Sequence, residues 1–263
     1  MSDRLIRYVS GSSVIHRLDP RSKLVFVSLF IGATLIAPGI IEASLLLLVA
    51  LAFYFLARLP LRETRSTWKF ILIVAVVLSF LNLFTLTLLY PKGEHVLVTY
   101  GPLKITVENL VHSVTPILRL LSIATVTLTL IFTTPPNLYA PAIGQLGLPY
   151  KVAYVVELSF RYIPEMIGEL RKTLEAQMAR GYRPRGGKNP VARILQVIPL
   201  ILPVTVSAAL NVYDIADAME LRGFGVGRCY TWYRELRLKM ADYIAIMLGI
   251  SIFSVLLLLR FLK

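Results

Sequence analysis

Long apolar runs, separated by short basic or proline-bearing turns, set the plan of the chain. Residues 17–23 read RLDPRSK and lead into Leu24 to Ile36, which places Asp19 to cap a helix whose first residue is Pro20. Ala37, Pro38 and Gly39 break that run, and Ile41 to Ala57 returns. Trp68 to Tyr90 and Leu110 to Phe132 are longer runs of a length that crosses a bilayer. Between them HVLVTY and LKITVE alternate around Gly101 and Pro102 as a small hairpin does. Ala241 to Leu259 is the last run. The pattern predicts an all-α polytopic membrane protein with about five transmembrane helices.

The pattern changes between Thr133 and Lys239. Pro135, Pro136, Pro141 and Pro149 interrupt it, leaving room for a short helix near Leu138 to Leu146 and another over Lys151 to Tyr162. Pro164 then opens a further helix. In it Ile163, Met166, Ile167, Leu170, Leu174 and Met178 recur at spacings of three and four, opposite Glu169, Lys172 and Glu175. This amphipathic helix ends at Arg180 and Gly181. Asn189 and Pro190 start the next, in which Val191 to Leu210 is apolar enough to be a sixth span. Arg183, Arg185 and Lys188 before it, and Arg222, Arg228, Arg234, Arg237 and Lys239 after it, would then lie on opposite sides of the membrane. The charges place it along the inner leaflet instead, bent at Pro199 and Pro203. Three regions follow: residues 1–134, an N-terminal membrane region with four spans; 135–239, a cytoplasmic coupling region with two Arg-Gly-tipped amphipathic helices; and 240–263, a C-terminal transmembrane helix.

Composition agrees with the membrane and narrows the chemistry. Hydrophobic residues make up 56% of the 263, more than a soluble core requires. The net charge of +13 is not a nucleic-acid footprint, because the basic residues stand beside apolar spans and set orientation instead. They place the N-terminus, the loop carrying Arg58, Arg62, Arg65 and Lys69, and the coupling region in the cytoplasm of a multi-pass cell-membrane protein. Arg119, expensive within a span, either faces a polar bundle interior or marks a helix break near Pro116. The lone Cys229 excludes an intramolecular disulfide, and His16, His95 and His112 lack metal-ligand spacing. No metal, nucleotide or other cofactor is expected to be bound by the chain itself, since no phosphate loop or nucleophile elbow is present.

One short pattern occurs twice. Glu175, Ala176, then Ala179, Arg180, Gly181 and Tyr182 match Asp217, Ala218, then Leu221, Arg222, Gly223 and Phe224. A cation in the last turn with glycine just beyond it is how ordinary helices end. Capping alone asks for neither the alanine nor the aromatic, and a repeated surface feature implies a partner with two equivalent pockets. Asp214 and Asp217, a DxxD on one helical face, admit a second reading as a Mg2+-dependent membrane transferase, although no second acidic cluster accompanies them. A third reading is a membrane scaffold for another two-fold complex.

The DPRSK turn (Asp19 to Lys23), the segment LPYKVAYVVELSFRYIPEM (Leu148 to Met166) and the paired helix ends resemble the transmembrane coupling subunit, or T component, of energy-coupling factor transporters, including the CbiQ-like cobalt proteins. Nearly the whole chain shares the likeness. It implies a non-catalytic subunit of a vitamin or transition-metal importer. Two ATP-binding cassette ATPase subunits would hold the ATP and grip Ala179, Arg180, Gly181 and Leu221, Arg222, Gly223, supported by Glu175, Tyr182, Asp217 and Phe224. A separate membrane S component would bind the substrate, resting on the apolar faces of the two helices. The second copy departs from the family pattern at Leu221, where alanine is usual.

Overall fold

The computed structural model describes residues 9, 11–89, 96–100, 103–183, 190–226 and 235–262. The segment holding Arg185 and Lys188, and the positions of His95, Arg228, Cys229 and Arg234, lie outside the described residues. In chain order the elements are α1 (Val14–Arg17), α2 (Pro20–Ile36), α3 (Ile40–Leu56), α4 (Leu61–Leu89), β1 (Val96–Tyr100), β2 (Leu103–Thr106) and α5 (Val107–Thr133). A 3-10 turn (Pro136–Leu138), α6 (Tyr139–Gln145), α7 (Tyr150–Ala179), α8 (Pro190–Leu221) and α9 (Met240–Leu262) complete it. Contacts divide the chain into two units, Met1–Leu138 with Leu236–Lys263, and Tyr139–Glu235. The protein is a helical, polytopic membrane protein whose described strands form a single hairpin.

In the first unit the local signals act as read. Asp19 caps α2 by accepting the Arg21 N–H at 2.9 Å, with Pro20 in the first turn. The hairpin is antiparallel, Tyr100 opposite Leu103. Helix α5 packs against α2, α3 and α4, and α9 lies along α2. That pairing is close because small residues stand in it: a Cβ on Gly249 would come within 3.2 Å of the Phe26 ring, and one on Gly32 within 3.1 Å of Phe253. Ile15, Leu18, Tyr54, Ala57, Leu59, Leu128 and Phe132 form a buried cluster, in which the Tyr54 hydroxyl meets Thr64 Oγ1 at 2.8 Å.

The buried side of α5 is polar in an orderly way. Ser122, Thr125, Thr129 and Thr133 are buried at helical spacing, and each hydroxyl donates to the carbonyl four residues earlier. Their polar groups are therefore satisfied inside the helix while their small side chains let neighbours approach. Arg119 sits on the same continuous helix, so Pro116 does not break it. The guanidinium donates through Nη2 to the Ala37 carbonyl at the end of α2, a cation placed at a helix C-terminus. Outward faces are apolar instead: Phe70, Ile73, Phe80, Ile244 and Met247 are exposed, as lipid-facing side chains must be.

Among the described residues four helices are long and apolar enough to cross a membrane: Thr64–Thr87, His112–Thr133, Val197–Leu221 and Met240–Leu262. Ile40–Leu56 is a shorter apolar helix, and α2 has the same 17-residue length. Val197–Leu221, which the charges place along the inner leaflet, therefore meets the length and composition of a span, with Pro199 and Pro203 inside it.

The second unit holds α6, α7 and α8. The expectation of one helix over Lys151 to Tyr162 and a new one starting at Pro164 is not met: α7 runs unbroken from Tyr150 to Ala179 with Pro164 inside. An internal proline costs about 3 kcal/mol through the lost hydrogen bond and the clash one turn back. Packing on both sides of it offsets that cost. Before Pro164, Phe160 lies 6.3 Å from the Tyr139 ring of α6; after it, Glu169 accepts a 3.0 Å hydrogen bond from Asn211 of α8.

Candidate functional site: two capped helix tips

The ends of α7 and α8 have one geometry. At the first, Arg180 is the C-cap, Gly181 takes φ +88°, its N–H donates to Met178 O at 3.0 Å, and the Tyr182 N–H donates to Gln177 O at 2.9 Å. At the second, Gly223 takes φ +72°, donates to Glu220 O at 2.8 Å, and the Phe224 N–H donates to Met219 O at 3.0 Å. These paired bonds, one spanning five residues and one three, satisfy carbonyls that would otherwise be orphaned. The requirement for glycine is conformational, since a Cβ at either position would meet nothing within 4 Å.

Each cap holds its arginine out of the fold. Arg180 and Arg222 are exposed, as are Glu175, Ala179 and Asp217. Leu221 is 90% exposed and Val226 is 84% exposed, so apolar surface accompanies the cation at the second tip. Arg180 and Arg222 make no side-chain hydrogen bond or ion pair among the described residues.

Packing accounts for one aromatic that capping does not ask for: Phe224 is half-buried, its ring 4.6 Å from Tyr154 and 5.7 Å from Tyr150. It staples the second tip to the start of α7, an intrachain task that already asks for an aromatic after the glycine. Tyr182 is half-buried too. What capping and packing leave unexplained is the exposed Ala179 of the first tip and the exposed Leu221 of the second, beside arginines whose side chains make no hydrogen bond or ion pair among the described residues.

That contact also marks where the second tip lies. One tip ends α7, whereas the other is fastened beside Tyr154 near its beginning. Along α7 the interval from Tyr154 to Arg180 amounts to about 40 Å at 1.5 Å per residue. Between these ends α7 and α8 enclose an open apolar groove of about 720 Å³, lined among others by Val155, Leu158, Met166, Val212 and Ile215. Sequence periodicity showed the apolar face of α7 but not its pairing with α8 across Asn211 and Glu169.

The DxxD pair has less around it. Asp214 and Asp217 are exposed on α8, and among the described residues no group of three or more His, Cys, Asp or Glu stands close enough to hold a metal ion.

Residues 11–231 match the family model described as CbiQ, cobalt transport protein. The chain is 31% identical over 262 residues to the energy-coupling factor transporter transmembrane protein EcfT of Lactococcus lactis subsp. cremoris, covering 96% of each chain. It is 32% identical over 247 residues to the protein of that name in Bacillus subtilis, covering 90% of this chain and 91% of that one. A third relative so named, from Staphylococcus aureus, is 30% identical over 273 residues, covering 99% of each.

Proposed function

The chain belongs to the CbiQ family of transport proteins, and from that premise we propose that it is the coupling subunit of an energy-coupling factor importer for a vitamin or a transition-metal ion. In this reading two ATP-binding cassette subunits bind and hydrolyse ATP, an S component in the membrane binds the substrate, and this chain passes motion between them without catalysis. The coupling helices face the cytoplasm.

The observation that carries the reading is the pair of identical caps, each presenting an exposed arginine, at points about 40 Å apart along α7. A rigid cap spares the backbone ordering when a guanidinium enters a partner's groove, leaving only the arginine side chain to be immobilised, and there a charge-assisted pair with a carboxylate is strong. Two separated copies favour two copies of one partner. Ala179, Gly181, Leu221 and Gly223 shape the approach, with Glu175, Tyr182, Asp217 and Phe224 beside it. The apolar groove between α7 and α8 is surface of the kind an S component would cover.

The test is the double variant Arg180→Glu with Arg222→Glu, purified in mild detergent. Loss of one buried partner in such a pair costs roughly 2 to 5 kcal/mol, so the ATPase subunits should no longer co-purify while the membrane helices keep their melting behaviour. Undiminished association of the double variant refutes the assignment.

A further inference from the structure

A buried polar cluster at the start of α2 is not accounted for by the tips. Asp242 Oδ1 accepts from the Asp19 N–H at 2.7 Å and from Ser22 Oγ at 2.8 Å, and Oδ2 accepts from the Lys239 N–H at 2.7 Å. Lys23 Nζ donates to Thr133 O at 3.1 Å and reaches Thr134 Oγ1 at 3.5 Å. Arg21 Nη2 donates to Leu236 O at 3.1 Å. Asp19, Ser22, Lys23 and Asp242 are all nearly solvent-free. Burying charges in this way is costly, and hydrophobic residues would stabilise the same junction as well or better, so stability alone is a weak reason for it.

Its position supplies another reason. The chain leaves the first unit after Leu138 and re-enters it at Leu236. Lys23 holds the backbone just before the first of these points, Arg21 holds the second at Leu236 itself, and Asp242 holds Lys239 just after it. Both connections are therefore fastened to a single turn of α2, by directional bonds that fix geometry where apolar contacts would slide.

We infer that Arg21, Lys23 and Asp242 are positioning residues that deliver movement of the coupling unit to the membrane helices through these two fastened connections. The inference rests on the coupling role proposed above. A displacement carried along α5 or α9 reaches α2 at this turn, and α2 packs along α9.

The experiment uses the complex that co-purifies with the chain, in a Cys229→Ser background, with and without Mg2+-ATP. Spin labels at Glu157→Cys and Leu202→Cys report the coupling unit; labels at Ile41→Cys and Ile244→Cys report the membrane unit. In Lys23→Met the ATP-dependent distance change within the coupling unit should persist while that within the membrane unit is largely lost, and Lys23→Arg should restore it. If Lys23→Met does not accumulate, Arg21→Gln removes only the Leu236 bond and carries the same expectation. A membrane-unit response of wild-type size in Lys23→Met, or in Arg21→Gln where Lys23→Met does not accumulate, overturns the inference and leaves the coupling role standing. Absence of any ATP response in the wild-type complex overturns both.

Discussion

Gly181→Ala and Gly223→Ala separate what the tips do for the fold from what they do for a partner. Both glycines have positive φ, +88° and +72°, and neither is crowded, so alanine costs backbone conformation and nothing else. A left-handed residue with a Cβ costs about 1 to 2 kcal/mol. Gly223 lies at the edge of the left-handed well and Gly181 beyond it, so Gly181→Ala should be the more costly. Opening of the cap exposes the Tyr182 N–H bonded to Gln177 O and the Phe224 N–H bonded to Met219 O. Amide exchange by mass spectrometry, on peptides covering these residues, should accelerate roughly five- to thirtyfold for 1 to 2 kcal/mol. Asparagine, which tolerates the left-handed region, should restore much of the protection at 223 and less at 181. Unchanged exchange in Gly181→Ala, or a larger effect at Gly223 than at Gly181, refutes the reasoning.

Two further outcomes follow from the first unit. Gly249→Leu forces a branched side chain into a position where a bare Cβ already stands 3.2 Å from Phe26, so α9 should loosen from α2 with a loss of about 1 to 3 kcal/mol, read as a lower melting temperature in detergent; an unchanged melt would contradict the packing. His16 accepts no ordinary proton load: Nε2 meets the Val9 carbonyl at 3.0 Å and must be the donor there, Nδ1 stands 2.6 Å from Ser13 Oγ, and burial holds its pKa below the usual histidine range. A lowered folded-state pKa means the unfolded chain takes up the proton first as pH falls. Stability should therefore decline below about pH 6.5, and His16→Gln, which keeps a donor but does not titrate, should flatten that part of the melting-temperature profile.

Much of the chain was legible because its signals are local. Asp19 before Pro20 is a cap wherever the chain goes, the alternating stretches at Val96–Tyr100 and Leu103–Thr106 pair as antiparallel strands, and glycine after Arg180 and Arg222 ends two helices. Pro164 misled because proline's local cost was set against packing that no local rule contains, from Tyr139 on one side and Asn211 on the other. Phe224 is the opposite case. Its ring, which the cap alone does not require, packs on Tyr150 and Tyr154, far away in the chain.

Residue order by itself determined most of the helices and their ends, the division at Pro164 excepted, together with the apolar face of α7 and the repeated Arg-Gly tips, because each depends on bonds and spacings within a few residues. Only the tertiary structure decided which groups satisfy one another across the fold: that Arg119 meets the Ala37 carbonyl at the end of α2, that Phe224 packs on Tyr154, and that Asp242 meets Asp19 across 223 positions of sequence. A buried carboxylate or guanidinium must find partners when water is removed. Nothing in the order of residues names those partners, since they are chosen by which helices lie side by side once the apolar surface is covered.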